Sequence, residues 1–171
     1  MNVSYLAKLS ELIRFIGLRD HAHTDVLRYI TRSTLEDLQA TCTLITELKD
    51  DGALKISGLF GFDKSAFQSS PETQRISDPY PVPEVLRSRK IIWINSLPEW
   101  PDEYPKLKAI PFPNNEKTVI LIPVERFGVP VACLTFFSVL KIEPDAEIQA
   151  FLGAVGSVYS LYLFREAVLS V

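Results

Sequence analysis

Residues 151–164 read Phe-Leu-Gly-Ala-Val-Gly-Ser-Val-Tyr-Ser-Leu-Tyr-Leu-Phe, fourteen consecutive positions without a charge. Ile148, Leu152, Val155, Tyr159, Tyr162 and Glu166 step by 4, 3, 4, 3 and 4, the spacing of a coiled-coil seam. Phe151, Val155, Val158 and Tyr162 make a second apolar row, and Gly153, Gly156 and Ser160 a strip of small residues. A helix lying on one sheet needs a single apolar stripe. One that is apolar almost all round must be covered on two sides. The pattern predicts a helix over 145–168 packed on its own sheet, with Leu152, Val155, Tyr159 and Tyr162 facing a second copy of the chain. Cover by the first helix of the same chain is the alternative.

The uncharged run is shorter than the roughly 20 residues that cross a bilayer, and no long apolar segment follows a basic start at the N-terminus. The expectation is a cytoplasmic protein that makes no membrane contact. The formal charge of −3, from 18 Lys and Arg against 21 Asp and Glu, supplies no basic face for nucleic acid. Cys42 and Cys133 each sit in an apolar run and read as reduced core thiols, with a disulfide between neighbouring strands as the alternative.

Leu6, Leu9, Leu12, Ile13 and Ile16 predict a first helix over 4–17, and Leu27, Ile30, Leu35 and Leu38 a second over 25–39 capped by Thr24. The period then changes. Residues 41–60 read as a hairpin turning at Asp50-Asp51-Gly52. Residues 61–115 are irregular, with a short helix near Pro83–Ser88, a central strand at 91–95 and another short helix over 97–108. Residues 118–139 form a second hairpin turning at Glu125-Arg126-Phe127-Gly128. The whole predicts one α+β domain: a mostly antiparallel sheet of five to six strands, terminal helices on one face and irregular segments on the other.

Three passages resemble the GAF family of sensory domains, over roughly residues 20–168. They are Val26–Ile30 running through Thr43–Glu47 to Asp50-Asp51-Gly52, then Pro83–Ile94, and then Val119–Val124 with Gly128–Phe136 and Glu147–Leu152. The resemblance implies a PAS- or profilin-like architecture, a small-molecule site between sheet and roof, and pairing through terminal helices. Features of specialised branches are absent. The two cysteines fall in strands rather than in the roof, where bilin-binding and methionine-sulfoxide-reducing branches need them. His21 and His23 precede the first strand, away from a haem ligand's place, and the Asn-Lys-Phe-Asp-Glu pattern of the cyclic-nucleotide branch does not occur.

Phe60, Trp93, Trp100, Tyr104 and Phe112 are the expected wall of that site, with plain core filling as the alternative. Arg75, Arg87 and Arg89 could greet an anion or could simply be solvated. Asp20, His21, His23 and Asp25 invite a metal reading, but a structural ion needs four tight ligands, so a polar link is preferred and no metal or cofactor is expected. A Ser33–His23–Asp25 triad lacks a nucleophile elbow, and seven glycines form no phosphate loop. These readings predict a non-enzymatic sensory module, homodimeric, binding a small molecule and controlling an output domain such as a transcription regulator. A ligand-free dimerisation scaffold and a cysteine-dependent redox enzyme are the alternatives.

Overall fold

Strand alternation sorts the apolar residues onto the two faces of one sheet. The computed structural model describes residues 2–18, 20–62, 74–95 and 116–169, with side chains through Arg165. Within them the chain forms α1 (Val3–Leu18), α2 (His23–Tyr29), β1 (Ala40–Leu48), β2 (Leu54–Phe60), α3 (Pro81–Ser88), β3 (Ile92–Ile94), β4 (Thr118–Arg126), β5 (Val129–Ser138) and α4 (Ala146–Leu169). The five strands lie in the order β2-β1-β5-β4-β3, and neighbours are antiparallel throughout. This is an α+β architecture around an open antiparallel sheet.

Ile45 of β1, Ile120, Ile122 and Val124 of β4, and Ala132, Leu134 and Phe136 of β5 share one face with the buried residues of α1, α2 and α4. Cys42, Leu44, Val119, Leu121, Cys133 and Phe137 share the other with Val85 and Leu86 of α3. The β4–β5 turn is a two-residue loop with positive φ at both Phe127 (52°) and Gly128 (77°), the twist that closes a tight hairpin. Arg89, at the end of α3, donates to both carboxylate oxygens of Glu125 at 2.8 and 3.0 Å, tying α3 to β4.

α4 lies directly on β4, and α2 on β1 and β2. α1 rests over α4 and the turn that follows α2, as an outer layer. Tyr5 stacks on Phe151 at 4.4 Å and the Arg165 guanidinium donates to the Ile16 carbonyl, so the two terminal helices run parallel. Asp145 caps α4 through the amide of Ile148 at 2.8 Å.

Residues 25–39 are not one helix. α2 gives way to a π turn at Ile30–Thr34 and a 3₁₀ turn at Glu36–Leu38, and Gln39 ends it in the left-handed region with φ 49°. The cause is local. The Thr31 hydroxyl donates to the Leu27 carbonyl at 2.7 Å and meets the Thr43 hydroxyl of β1 at 2.8 Å, so side chains compete for a backbone acceptor. The amide of Leu35 reaches back to Ile30 instead, at 2.8 Å.

Two glycines on α4 should behave oppositely. A Cβ at Gly156 would lie 2.9 Å from Ile122 Cγ2 and 3.0 Å from the Pro123 carbonyl, whereas one at Gly153 meets nothing within 4 Å. Gly153→Ala should stabilise by about 0.5–1 kcal/mol through helix propensity. Gly156→Ala gains the same propensity but overpacks, a cost of about 1–3 kcal/mol, and should be net destabilising. Urea denaturation of both variants checks the signs.

Candidate functional site

Of the five residues expected to wall a ligand site, the two that the structure describes do not lie on the sheet face that carries α3. Trp100, Tyr104 and Phe112 lie outside the described residues. Trp93 and Phe60 pack with the helical layer on the opposite face. The Trp93 indole N–H donates to the Ile142 carbonyl at 2.6 Å, which uses its polar end inside the fold. Parity explains the placement: Ile92 and Ile94 flank Trp93 and turn to the α3 side.

The expected anion-greeting arginines are spent on the protein. Arg75 donates to the Asp51 carbonyl, Arg87 to the carbonyls of Ile76 and Asp78, and Arg89 to Glu125. The seam residues Leu152, Val155, Tyr159 and Tyr162 are buried within the chain, each at most 2% exposed. α1, α2 and the sheet cover them, rather than a second copy.

Around Tyr159 a polar chain crosses this core. The Tyr159 hydroxyl and His23 Nδ1 share a hydrogen bond of 2.6 Å, and Tyr159 meets Tyr162 edge-on at 5.5 Å. The Tyr162 hydroxyl donates to the His21 carbonyl at 2.6 Å. Burial holds the Tyr159 phenol well above its usual range, reinforced by Tyr162 and Glu47. His21 Nε2–H donates to the Phe15 carbonyl at 2.9 Å. The two histidines are thus structural partners of the link between α1 and α2.

A cleft opens beside that link. Phe15 of α1, Asp20 and His21 of the link, Asp25, Arg28 and Tyr29 of α2, and Arg32 and Ser33 of the π turn line an open depression of about 420 Å³. Phe15 lies between His21 and Tyr29 in a stack with both centroid separations 4.1 Å. The guanidiniums of Arg28 and Arg32 sit over the Phe60 ring at 5.7 and 5.1 Å. Sequence reasoning missed this cleft. Its available signal was the pair Arg28 and Arg32, four residues apart on one helix face.

The thiols lie on the α3 side of the sheet. Cys42 stands opposite Phe137, and Cys133 opposite Thr46, so four residues of register separate them. At about 3.3 Å per residue they are roughly 13 Å apart, beyond any disulfide. Both are free and buried. Burial pushes the Cys133 thiol up to about 12 and raises that of Cys42, whose Sγ–H donates to the Gly61 carbonyl at 3.2 Å.

No protein-family profile and no curated protein matches the sequence. Solved structures do match. The GAF domain of a phosphoenolpyruvate-protein phosphotransferase from Coxiella burnetii superposes with a TM-score of 0.73 at 14% identity, covering 98% of this chain and 96% of that one. This chain has a GAF fold. The corresponding GAF domain from Acinetobacter gives 0.70 at 12% identity, covering 98% and 97%. A free methionine-R-sulfoxide reductase from Neisseria meningitidis gives 0.69 at 11% identity, covering 95% and 91%.

That last likeness corrects the expectation of a non-enzyme. The same GAF fold carries a reductase at nearly the same structural similarity, so the fold gives no ground for excluding an enzyme. Among the described residues no helix is long and apolar enough to cross a membrane.

The thiol geometry makes a direct prediction. Because it is the thiolate that attacks the reagent's disulfide and expels its aryl thiolate, native protein at pH 8 should leave Cys42 and Cys133 unmodified over hours and expose two reactive thiols only in denaturant. Rapid native labelling in an Ellman titration would contradict the burial described.

Proposed function

We propose that the chain is a sensory or regulatory module that takes a small molecule and works as a homodimer through α1 and α4, passing the bound state to an output domain. The observation that carries this reading is the outer surface of the two parallel helices. Leu6 and Ile13 on α1 are 52% and 49% exposed, and Leu161 and Phe164 on α4 are 59% and 40% exposed. Ala150, Gly153 and Ser157 continue the α4 stripe with small exposed residues that allow close backbone approach.

Covering a half-exposed large apolar side chain recovers roughly 0.8–1.5 kcal/mol. Contributions from both copies are then of the same order as the roughly 4–15 kcal/mol cost of association. Pairing on this surface is therefore concentration-dependent, a property suited to a switch. The likeness to GAF domains supports the regulatory reading. The polar chain from His23 through Tyr159 and Tyr162 to His21 supplies a physical connection between the α1–α2 link and α4.

The paired substitutions Leu6→Glu and Leu161→Glu should convert a dimer to a monomer by light scattering at about 100 μM, with an unchanged thermal melt. Val155→Glu differs in kind, because Val155 is fully buried and a carboxylate there should unfold the protein. A wild-type protein that is monomeric at that concentration, or a double variant that still pairs, would remove the dimer from this proposal.

A further inference from the structure

We infer that the cleft between α1 and α2 binds a small organic anion, with its carboxylate or phosphate between Arg28 and Arg32 and its apolar body against Phe15 and Tyr29. The site lies on the helical side of the sheet, and its volume of about 420 Å³ is that of a small-molecule pocket.

Charge is the first argument. Asp20 is taken by Arg165 at 3.0 Å, and Asp25 pairs with Arg28 at 3.5 Å with both side chains about half exposed. Among the described residues no carboxylate pairs with Arg32. Arg28 of α2 and Arg32 of the π turn bring two like charges to one ring, an arrangement that is repulsive unless something offsets it. Phe60 offsets it partly by offering one ring to both guanidiniums. An anion between them would complete the neutralisation, and guanidinium forks suit the planar or tetrahedral oxygens of a carboxylate or phosphate.

Shape is the second. The π turn carries Arg32 and Ser33 at the rim, and π turns inside helices are frequently functional. Phe15 and Tyr29, locked in the three-ring stack, offer a rigid apolar wall next to the cationic one. A bare inorganic ion would use only half of this lining.

This deepens the sensory reading by naming a ligand class, and rests on that reading only for what binding then causes. The test is titration calorimetry on the purified full chain with phenyl phosphate, benzoate and inorganic phosphate. At least one ringed probe should bind, about tenfold or more tighter than inorganic phosphate, and the better of the two identifies the headgroup. Arg32→Gln and Arg28→Gln should each weaken binding about tenfold without moving the thermal melt. No heat from either ringed probe at about 10 mM would overturn the site, as would binding that survives both arginine substitutions together. Inorganic phosphate binding as tightly as phenyl phosphate would overturn the apolar half. Repeating the titration on the Leu6→Glu, Leu161→Glu variant separates the proposals: an unchanged isotherm supports the cleft whatever the fate of the dimer.

Discussion

The close approach of α4 to β4 is the contact on which the rest of the fold depends. Gly156 has no side chain to hold the helix off Ile122 and Pro123, and the Ser160 hydroxyl donates to the Glu125 carbonyl beside it. With the backbones that close, Leu152 and Val155 are fully buried beside Ile120 and Ile122. Depth then imposes conditions on the polar atoms of α4. Tyr159 and Tyr162 bring hydroxyls into an apolar layer, where an unpaired one would cost about 1–3 kcal/mol. His23 Nδ1 and the His21 carbonyl supply the partners, so the link between α1 and α2 is placed by the needs of the last helix.

That placement in turn decides where α1 can go. With α2 on β1 and β2 and α4 on β4, the groove between them is open, and Leu9, Leu12 and Ile16 fill it. A helix seated on top of two others buries one side only. Hence Leu6 and Ile13 remain outside, and α4 retains its own outward flank. The extra apolar perimeter of α4 is covered by the sheet on one side and by α1 and α2 on another, and a remainder faces out.

Much of this was legible in the sequence, and what was not has identifiable causes. β4 and β5 carry apolar residues on both faces, which marks central strands whatever their pairing. The span of α4 followed from its uncharged run and from Asp145. The identity of its partner did not, because a seam spaced 4 and 3 is the same whether the covering helix belongs to this chain or another. Trp93 went to an unexpected face because period 2 separates it from Ile92 and Ile94 without saying which side is which. The break after Tyr29 needed Thr43, a residue of the next strand, to draw the Thr31 hydroxyl. The cleft takes its lining from the single stretch Phe15 to Ser33, but its shape depends on how α1, the link, α2 and the π turn fold back on one another, which residue spacing does not give.

The two sides of the sheet differ in what chemistry they can host. On the α3 side the described floor is Cys42, Leu44, Val119, Leu121, Cys133 and Phe137, where the potentially ionised atoms are thiols that burial keeps protonated. Either thiol would have to recover its charge in a desolvated site before it could act as a nucleophile. On the helical side the arginines stand at a rim open to water, where they remain charged at little cost, and an aromatic ring holds them in place. Fold alone does not choose between reductase and regulator, because both use this backbone. The described side chains separate two chemistries by place: buried thiols on the α3 side, and the charged pair Arg28 and Arg32 at an open rim on the helical side.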